Sequence, residues 1–425
     1  SAGRTDGAMW NGRMWRSKVA EPEPARPYAW LVALELVAER FAAGGAAIAR
    51  EPGGRIVFVD GALPGERVEA ELLASKRDFA RARTLRVIEP SPARVEPPCA
   101  QVAAGCGGCD WQHIDLGAQR SFLVDIVADA LRRTARLPDA VVTAGDPIPG
   151  AGVRTTVRLG VDRHGRCGFR AASSHRIVPT DRCLVAHPLL DDLLGVHLPG
   201  LDEIVLRASV ATSERSARWN PAGRPRPRSL PSDVVTGPGA AVHEEVAGTR
   251  LRVSAGSFFQ SSPTAAEAIV AAVRAACDDL LERSTTVVDA YSGVGLFGAT
   301  IVPEAVRLVA VESSASSCAD ARINLTGRSA EVVESPVEAW TPVPADVVIA
   351  DPARAGLGRR AVEVLAATGC ARLVLVSCDA AACARDTRLL IDAGFVHAGS
   401  VVLDPFPHTA HVEVVTRFDR AGAAG

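Results

Sequence analysis

Apolar positions along this chain change their period from one region to the next. From Leu31 to Ile88 they come in short alternating runs broken by glycine. The runs Ile56–Val59 and Val68–Leu72, with turns at Asp60–Gly61 and Pro64–Gly65, predict a small OB-like β-barrel. Pro90–Pro98 reads as a linker, and Leu116–Leu137 carries apolar residues at the spacing of an amphipathic helix. Residues 150–250 mix short strands (VRTTVRLGVD, CGFRAAS, IVLRAS) with a Pro/Arg-rich insert, Glu214–Ser232, that reads as a mobile loop. From Ser262 onward a βα alternation takes over. A helix over 264–282, with Ser262 at its cap and Pro263 at its first position, precedes the apolar strands TTVVDAY, RLVAVES, ADVVIADP and RLVLVSC, which predict a parallel doubly wound sheet. The expected organisation is a disordered tail (1–28), a barrel (29–92), a central mixed α/β domain (93–250) and a Rossmann-like α/β domain (251–425).

Composition narrows the classes. The 425 residues are 48% hydrophobic and 23% charged, values of a folded protein of several domains. Lys and Arg number 47 against 49 Asp and Glu, for a net charge of −2, which excludes a globally basic nucleic-acid binder but not local basic stripes. One such stripe, Arg77, Arg81, Arg83 and Arg86, is a candidate phosphate contact; the plainer reading is a solvated face. No apolar run approaches the roughly 20 residues of a membrane span, and no signal-peptide core stands near the first residue. Ten cysteines in that context read as reduced thiols, metal ligands or catalysts. The expectation is a soluble, cytoplasmic protein with no membrane partner and no obligate protein partner.

Three constellations carry chemistry. Cys99, Cys106 and Cys109 pack into one glycine-rich stretch, with Cys183 far downstream. Soft thiolates suit zinc or an iron–sulfur cube, and the lack of a second C-x2-C knuckle favours the cube. Next, the strand ending at Asp289 runs into AYSGVGLFG, in which Gly293, Gly295 and Gly298 spell G-x-G-x-x-G and Glu312 ends the following strand. Alone this motif suits a dinucleotide about as well as S-adenosylmethionine. Asp289 and Tyr291 crowd the loop where a pyrophosphate would prefer bare backbone, which tilts the reading to the methyl donor. Third, Asp351 and Cys378 end sheet strands at the carboxyl edge where such sheets place ligands, and Glu413 lies in a strand-like stretch near the C-terminus. A thiol, a carboxylate and a methyl donor fit methylation of uracil at carbon 5. Thiolate addition at carbon 6 makes carbon 5 nucleophilic, and a base then removes its proton. Cys378 is the candidate nucleophile and Glu413 the candidate base.

The set CGGCDWQH (106–113), SFFQ (257–260), DAYSGVG (289–295), DPARAG (351–356), SCDAAACARD (377–386) and FPHTAHVE (406–413) resembles the bacterial RNA (uracil-5-)-methyltransferases. The type it is most similar to carries an N-terminal TRAM barrel and a [4Fe–4S] cluster and acts on 23S ribosomal RNA. The resemblance implies that Cys99, Cys106, Cys109 and Cys183 hold the cluster. It further implies that Gln260, Tyr291, Glu312 and Asp351, beside the Gly293 loop, line the S-adenosylmethionine site, with Cys378 as nucleophile and Glu413 as base. The sequence departs from the family pattern at Asp379-Ala380, usually Asn-Pro, at Ser261-Ser262, usually Val-Asn, and at Ser335. The alternatives are a tRNA T-loop uridine as target, a non-catalytic RNA-binding protein that retains the donor pocket, and a pyridine-nucleotide oxidoreductase.

Overall fold

The structure is a computed structural model that describes residues 33–278 and 280–422; the expected tail over 1–28 lies outside the described residues. Five strands, β1 (Ala33–Phe41), β2 (Ala47–Arg50), β3 (Ile56–Asp60), β4 (Arg67–Ser75) and β5 (Phe79–Glu89), close a barrel in the order β1-β2-β3-β5-β4. Alternation sends Val57, Val59, Val68, Ala70, Ala80 and Ala82 inward, and the small side chains match the narrow bore of so few strands. Outside, the β4–β5 ladder sets Arg83 against Glu71 at 2.7 Å and Arg86 against Glu69 at 3.2 Å. Arg81 lies over the Phe58 ring. The arginine stripe thus sits on a solvated face where Arg83 and Arg86 hold exposed ion pairs.

Segment 90–98 is not the free linker its prolines suggest. The fully buried Glu66 needs a counter-ion, and Arg94 supplies it through Nε (2.6 Å) and Nη2 (2.7 Å). Val95 N–H then bonds the carbonyl of His113. Helix α1 (Leu116–Ala130), capped by the Asp115 carboxylate, continues into a wider π turn over Leu131–Ala135. Its buried Leu123, Ile126 and Val127 share one core with the barrel and with Val412 and Val414 near the C-terminus.

Strand β6 (Val142–Ala144) leaves the central region and pairs with the last sheet of the chain. The central sheet comprises β7 (Thr156–Val161), β8 (Cys167–Arg170), β9 (Ile177–Pro179), β10 (Glu203–Ala208), β11 (Arg215–Asn220) and β12 (Val234–Thr236), in the order β12-β11-β10-β7-β8-β9. The insert expected to be a mobile loop thus opens with β11, paired antiparallel to β10, and the rest is held where Arg226 donates to the carbonyls of Leu230 and Val234. The hairpin β13 (Ala241–Val246) and β14 (Thr249–Ser254) packs Val242, Leu251 and Val253 into the core of the following domain.

Helix α2 (Pro263–Cys277) begins at Ser262, whose hydroxyl accepts from Ala265 N–H; positive φ at Asp278 ends it before the short α3 (Leu280–Arg283). The four anticipated strands are β15 (Thr286–Ala290), β16 (Arg307–Glu312), β18 (Val347–Ala350) and β19 (Arg372–Ser377), joined by β17 (Ala330–Glu334), β20 (Phe395–Leu403) and β21 (Glu413–Arg420). The sheet runs β17-β16-β15-β18-β19-β21-β20-β6, parallel from β17 to β19 with β21 antiparallel between β19 and β20. Helices α4 (Leu296–Thr300), α5 (Ala315–Asn324), α6 (Gly358–Ala366) and α7 (Ala380–Asp392) link the strands. The chain reverses direction across the sheet between β15 and β18, so the loops after these two strands form a crevice. No helix among the described residues is long and apolar enough to cross a membrane.

Candidate active site

The crevice is built first by the glycine loop. Tyr291 takes a positive φ of 62°, which turns the chain sharply off β15. Gly293 N–H donates to Glu312 Oε2 at 3.0 Å, and Ser314 N–H donates to Oε1 at 2.7 Å, so the carboxylate at the tip of β16 is fixed from two sides. A Cβ on Gly293 would meet nothing within 4 Å, whereas one on Gly298 would come within 2.5 Å of Leu308: the loop is open toward a ligand and closed toward the core. Asp289 is completely buried. One of its oxygens accepts from Gly298 N–H, and Oδ1 has no partner among the described residues. Burial pushes this carboxyl up to about 7, with Asp351 and Glu312 adding to the shift. Asp351, one residue beyond β18, is likewise pushed to about 7 by burial. Three carboxyl groups crowd one crevice, a field suited to a cationic ligand and hostile to an anionic pyrophosphate.

Tyr291 directs its hydroxyl to Glu338 at 3.1 Å. Gln260 is buried in the stretch leading into α2, and no hydrogen bond among the described residues ties its side chain to the carboxyl group cluster. Of the neighbouring departures, Ser262 has a local role, since its hydroxyl caps α2, and nothing in the structure explains Ser261.

The placement of the candidate pair follows from strand register. Ser377 pairs with Val414 across β19 and β21, so Cys378 and Glu413, the next residues on each strand, face each other at the sheet edge. Burial, then Glu413 and Asp351, push the half-buried Cys378 thiol up to about 11; Arg354 acts against that shift. Glu413 is only 3% exposed, burial and Asp351 push its carboxyl well above the usual range, and Oε1 has no partner among the described residues. Asp379, the departure beside the thiol, caps α7 by accepting from Ala382 N–H at 2.9 Å, a role a carboxylate fills as well as an amide does. Two residues not singled out from sequence stand here as well. Arg354 Nη2 lies 2.8 Å from Nδ1 of His411, and both come from the quoted motifs DPARAG and FPHTAHVE.

Cys99, Cys106, Cys109 and Cys183 converge on one pocket walled by Val102, Arg154, Phe169, Leu184 and Val185. Cys106 is raised by burial and by its neighbours Cys183 and Cys99, and Cys109 by burial and by Cys183 and Cys106. Among the described residues no group of three or more His, Cys, Asp or Glu closes to the spacing of a metal site. The structure supplies a cysteine-lined pocket rather than a closed ligand set.

Fold and crevice together define a class, a domain with the methyltransferase fold and an acidic crevice at the carboxyl edge of its sheet. Residues 36–85 match the TRAM domain family. An uncharacterised RNA methyltransferase of Streptomyces coelicolor is 34% identical, with 89% of this chain and 91% of that protein covered. A 23S rRNA (uracil(1939)-C(5))-methyltransferase of Halomonas elongata is 30% identical over 92% of this chain and 90% of its own length. The fold is that of the Pyrococcus abyssi tRNA (uracil-54, C5)-methyltransferase crystallised with S-adenosyl-L-homocysteine, with a TM-score of 0.69 at 22% identity, covering 91% of this chain and all of that one. The chain belongs to the RNA methyltransferase family of these relatives.

Proposed function

We propose that the protein methylates carbon 5 of a uridine in structured RNA, with 23S ribosomal RNA as the favoured substrate and Cys378 and Glu413 as its reacting side chains. The observation that carries this reading is the thiol set opposite a buried carboxyl group across β19 and β21, beside a crevice rich in carboxyl groups. S-adenosylmethionine, when bound, supplies an electrophilic methyl group. Glu312, Asp351 and the Gly293 backbone offer acceptors and open space for its ribose and cationic portions, with Tyr291 and Gln260 as further lining.

Cys378, as thiolate, adds to carbon 6 of the uracil ring and leaves the electron pair at carbon 5. Once carbon 5 carries the methyl group, Glu413 takes the proton from that carbon, and the C–S bond breaks to return the thiolate. A carboxyl group raised by burial is a stronger base once ionised than an exposed one, which suits this proton transfer. The target base leaves its stack to reach Cys378, at a cost of a few kcal/mol that is least in an unpaired loop.

The cysteine pocket fits a [4Fe–4S] cluster better than a single ion. What supports this reading is the sequence pattern, three close cysteines with a distant fourth and no second C-x2-C knuckle, together with the convergence of all four on one pocket; among the described residues they do not form a closed metal-ligand group. Cys99, Cys106, Cys109 and Cys183 would hold it; iron and sulfide analysis of anaerobically purified protein tests this, and stoichiometric zinc without iron would refute it. For the reaction, the test is RNA carrying 5-fluorouridine. A covalent adduct at Cys378 in the presence of the methyl donor is expected, and its absence would sink the mechanism. Nucleoside mass spectrometry after deletion of the gene identifies the RNA: loss of 5-methyluridine from 23S rRNA supports the favoured substrate, and loss from tRNA replaces it.

A further inference from the structure

Arg354 and His411 meet beside Cys378 and Glu413, and Arg154, which also lines the cysteine pocket, stands behind them. Arg354, in the turn after β18, holds its Nη2 2.8 Å from Nδ1 of His411. Arg154, whose guanidinium lies 5.6 Å from the Phe406 ring centroid, also acts on this imidazole, and its own buried Nε has no partner among the described residues. Burial first, then the two arginines, lowers His411 to about 4, so the ring is neutral and its Nδ1 accepts from Arg354. Among the described residues neither arginine forms an ion pair, whereas the barrel arginines Arg67, Arg83 and Arg86 all do. Asp351 and Glu413, the carboxyl groups nearest the reaction, are held toward their neutral forms. Arg354 is exposed, so water satisfies its guanidinium in the free protein, and no ion pair among the described residues has to break for an anion to reach it.

We propose that Arg354, positioned by His411 and backed by Arg154, binds the backbone phosphate flanking the uridine that is delivered to Cys378. This rests on the reading of an RNA uridine as substrate. A base turned out of its stack carries its own phosphodiester with it, and the guanidinium fork donates to two phosphate oxygens at once. Arg354 is close enough to the reacting groups to act on both Cys378 and Glu413, which puts the bound phosphate next to the chemistry. His411 is a positioning residue that orients the fork.

The test uses the full-length protein with RNA oligonucleotides in which the linkage on either side of the target uridine is an uncharged methylphosphonate. Arg354→Ala is expected to raise the KM for RNA on the order of tenfold, with a much smaller fall in kcat, and to flatten the plot of log affinity against log salt by about 0.7. Arg354→Lys restores part of the loss, because a point charge replaces the fork. One of the neutral linkages reproduces the loss in wild-type protein, and combined with Arg354→Ala it costs nothing further. An unchanged KM and salt slope would overturn the proposal, as would a fall in kcat at constant KM or additive losses from linkage and variant. Wild-type protein that shows the Arg354-dependent salt slope yet forms no 5-methyluridine would keep the phosphate site and refute the methylation reading.

Discussion

The thiol of Cys378 is dormant in the free protein, and alkylation measures how dormant. Burial and the carboxyl groups of Glu413 and Asp351 hold it at about 11. At pH 8 about one molecule in a thousand then carries the thiolate, against roughly a quarter for a free cysteine of pKa about 8.5. Iodoacetamide, with the Cys378 peptide followed by mass spectrometry, should react roughly two-hundredfold more slowly than with a free thiol at that pH, and the rate should climb about tenfold per pH unit through pH 10. Glu413→Gln removes the second cause of the shift but not the first, so its curve moves to lower pH while staying above that of a free cysteine. Arg354→Ala moves the curve the other way. A plateau before pH 9, or a Glu413→Gln curve displaced upward, would refute this account and mean that the free enzyme already holds an activated thiolate.

Other parts of the molecule answer to simpler perturbations. Glu66→Ala strips Arg94 and the N–H groups of Leu63 and Ser91 of their acceptor; because Arg94 reaches water, the loss should sit near the low end for a broken buried pair, about 3 kcal/mol in a denaturant titration. Asp379→Ala removes the α7 cap and should cost about 1 kcal/mol in the same measurement, whereas Asp379→Asn should cost almost nothing. Asp289 and Asp351 are raised to about 7 in the folded protein, so their contribution to stability is full below the ordinary carboxylate range and is lost as pH climbs through about 7. The melting temperature of the protein without donor should accordingly fall between pH 5 and pH 8, less so in Asp289→Asn. Cys109→Ser should abolish iron binding and lower kcat while leaving donor affinity, read by calorimetry, within about twofold.

How far the sequence discloses this arrangement depends on the range of the interaction concerned. Barrel strands and the parallel strands β15, β16, β18 and β19 announce themselves through local alternation and apolar runs. Strand β17 does not, since Ala330–Glu334 lies at the sheet edge and is only half buried. Strand β11 hides inside a Pro/Arg-rich insert whose composition reads as a loop; its pairing with β10 is a tertiary fact that outweighs local propensity. The clamp of Arg94 on Glu66 was invisible for the same reason, because nothing in a Pro-flanked segment signals a buried carboxylate elsewhere in the chain. The position of the candidates Cys378, Glu413 and Asp351 at strand ends is legible because apolar strands and their ends are recognisable in sequence. The fork of Arg354 on His411 was not, since it joins two loops more than fifty residues apart.

Those same long-range contacts explain why a cysteine pocket and a barrel belong on this enzyme. The stretch just after Cys109 braces the loop that leads into Glu413. Asp110 accepts from Ala410 N–H, Trp111 N–H donates to the His408 carbonyl, and Gln119 accepts from His408 N–H while donating to the carbonyls of Trp111 and Ile114. The barrel meets the same place, where the Trp111 indole donates to Gly45 and a Cβ on Gly45 would strike Ala410 at 2.4 Å. A cluster held by Cys99, Cys106, Cys109 and Cys183 would fix one end of this brace and the barrel core the other. Neither needs redox chemistry to matter to catalysis. The proton transfer proposed for Glu413 tolerates little displacement of its carboxyl group, and the loop that leads into it is held from two sides.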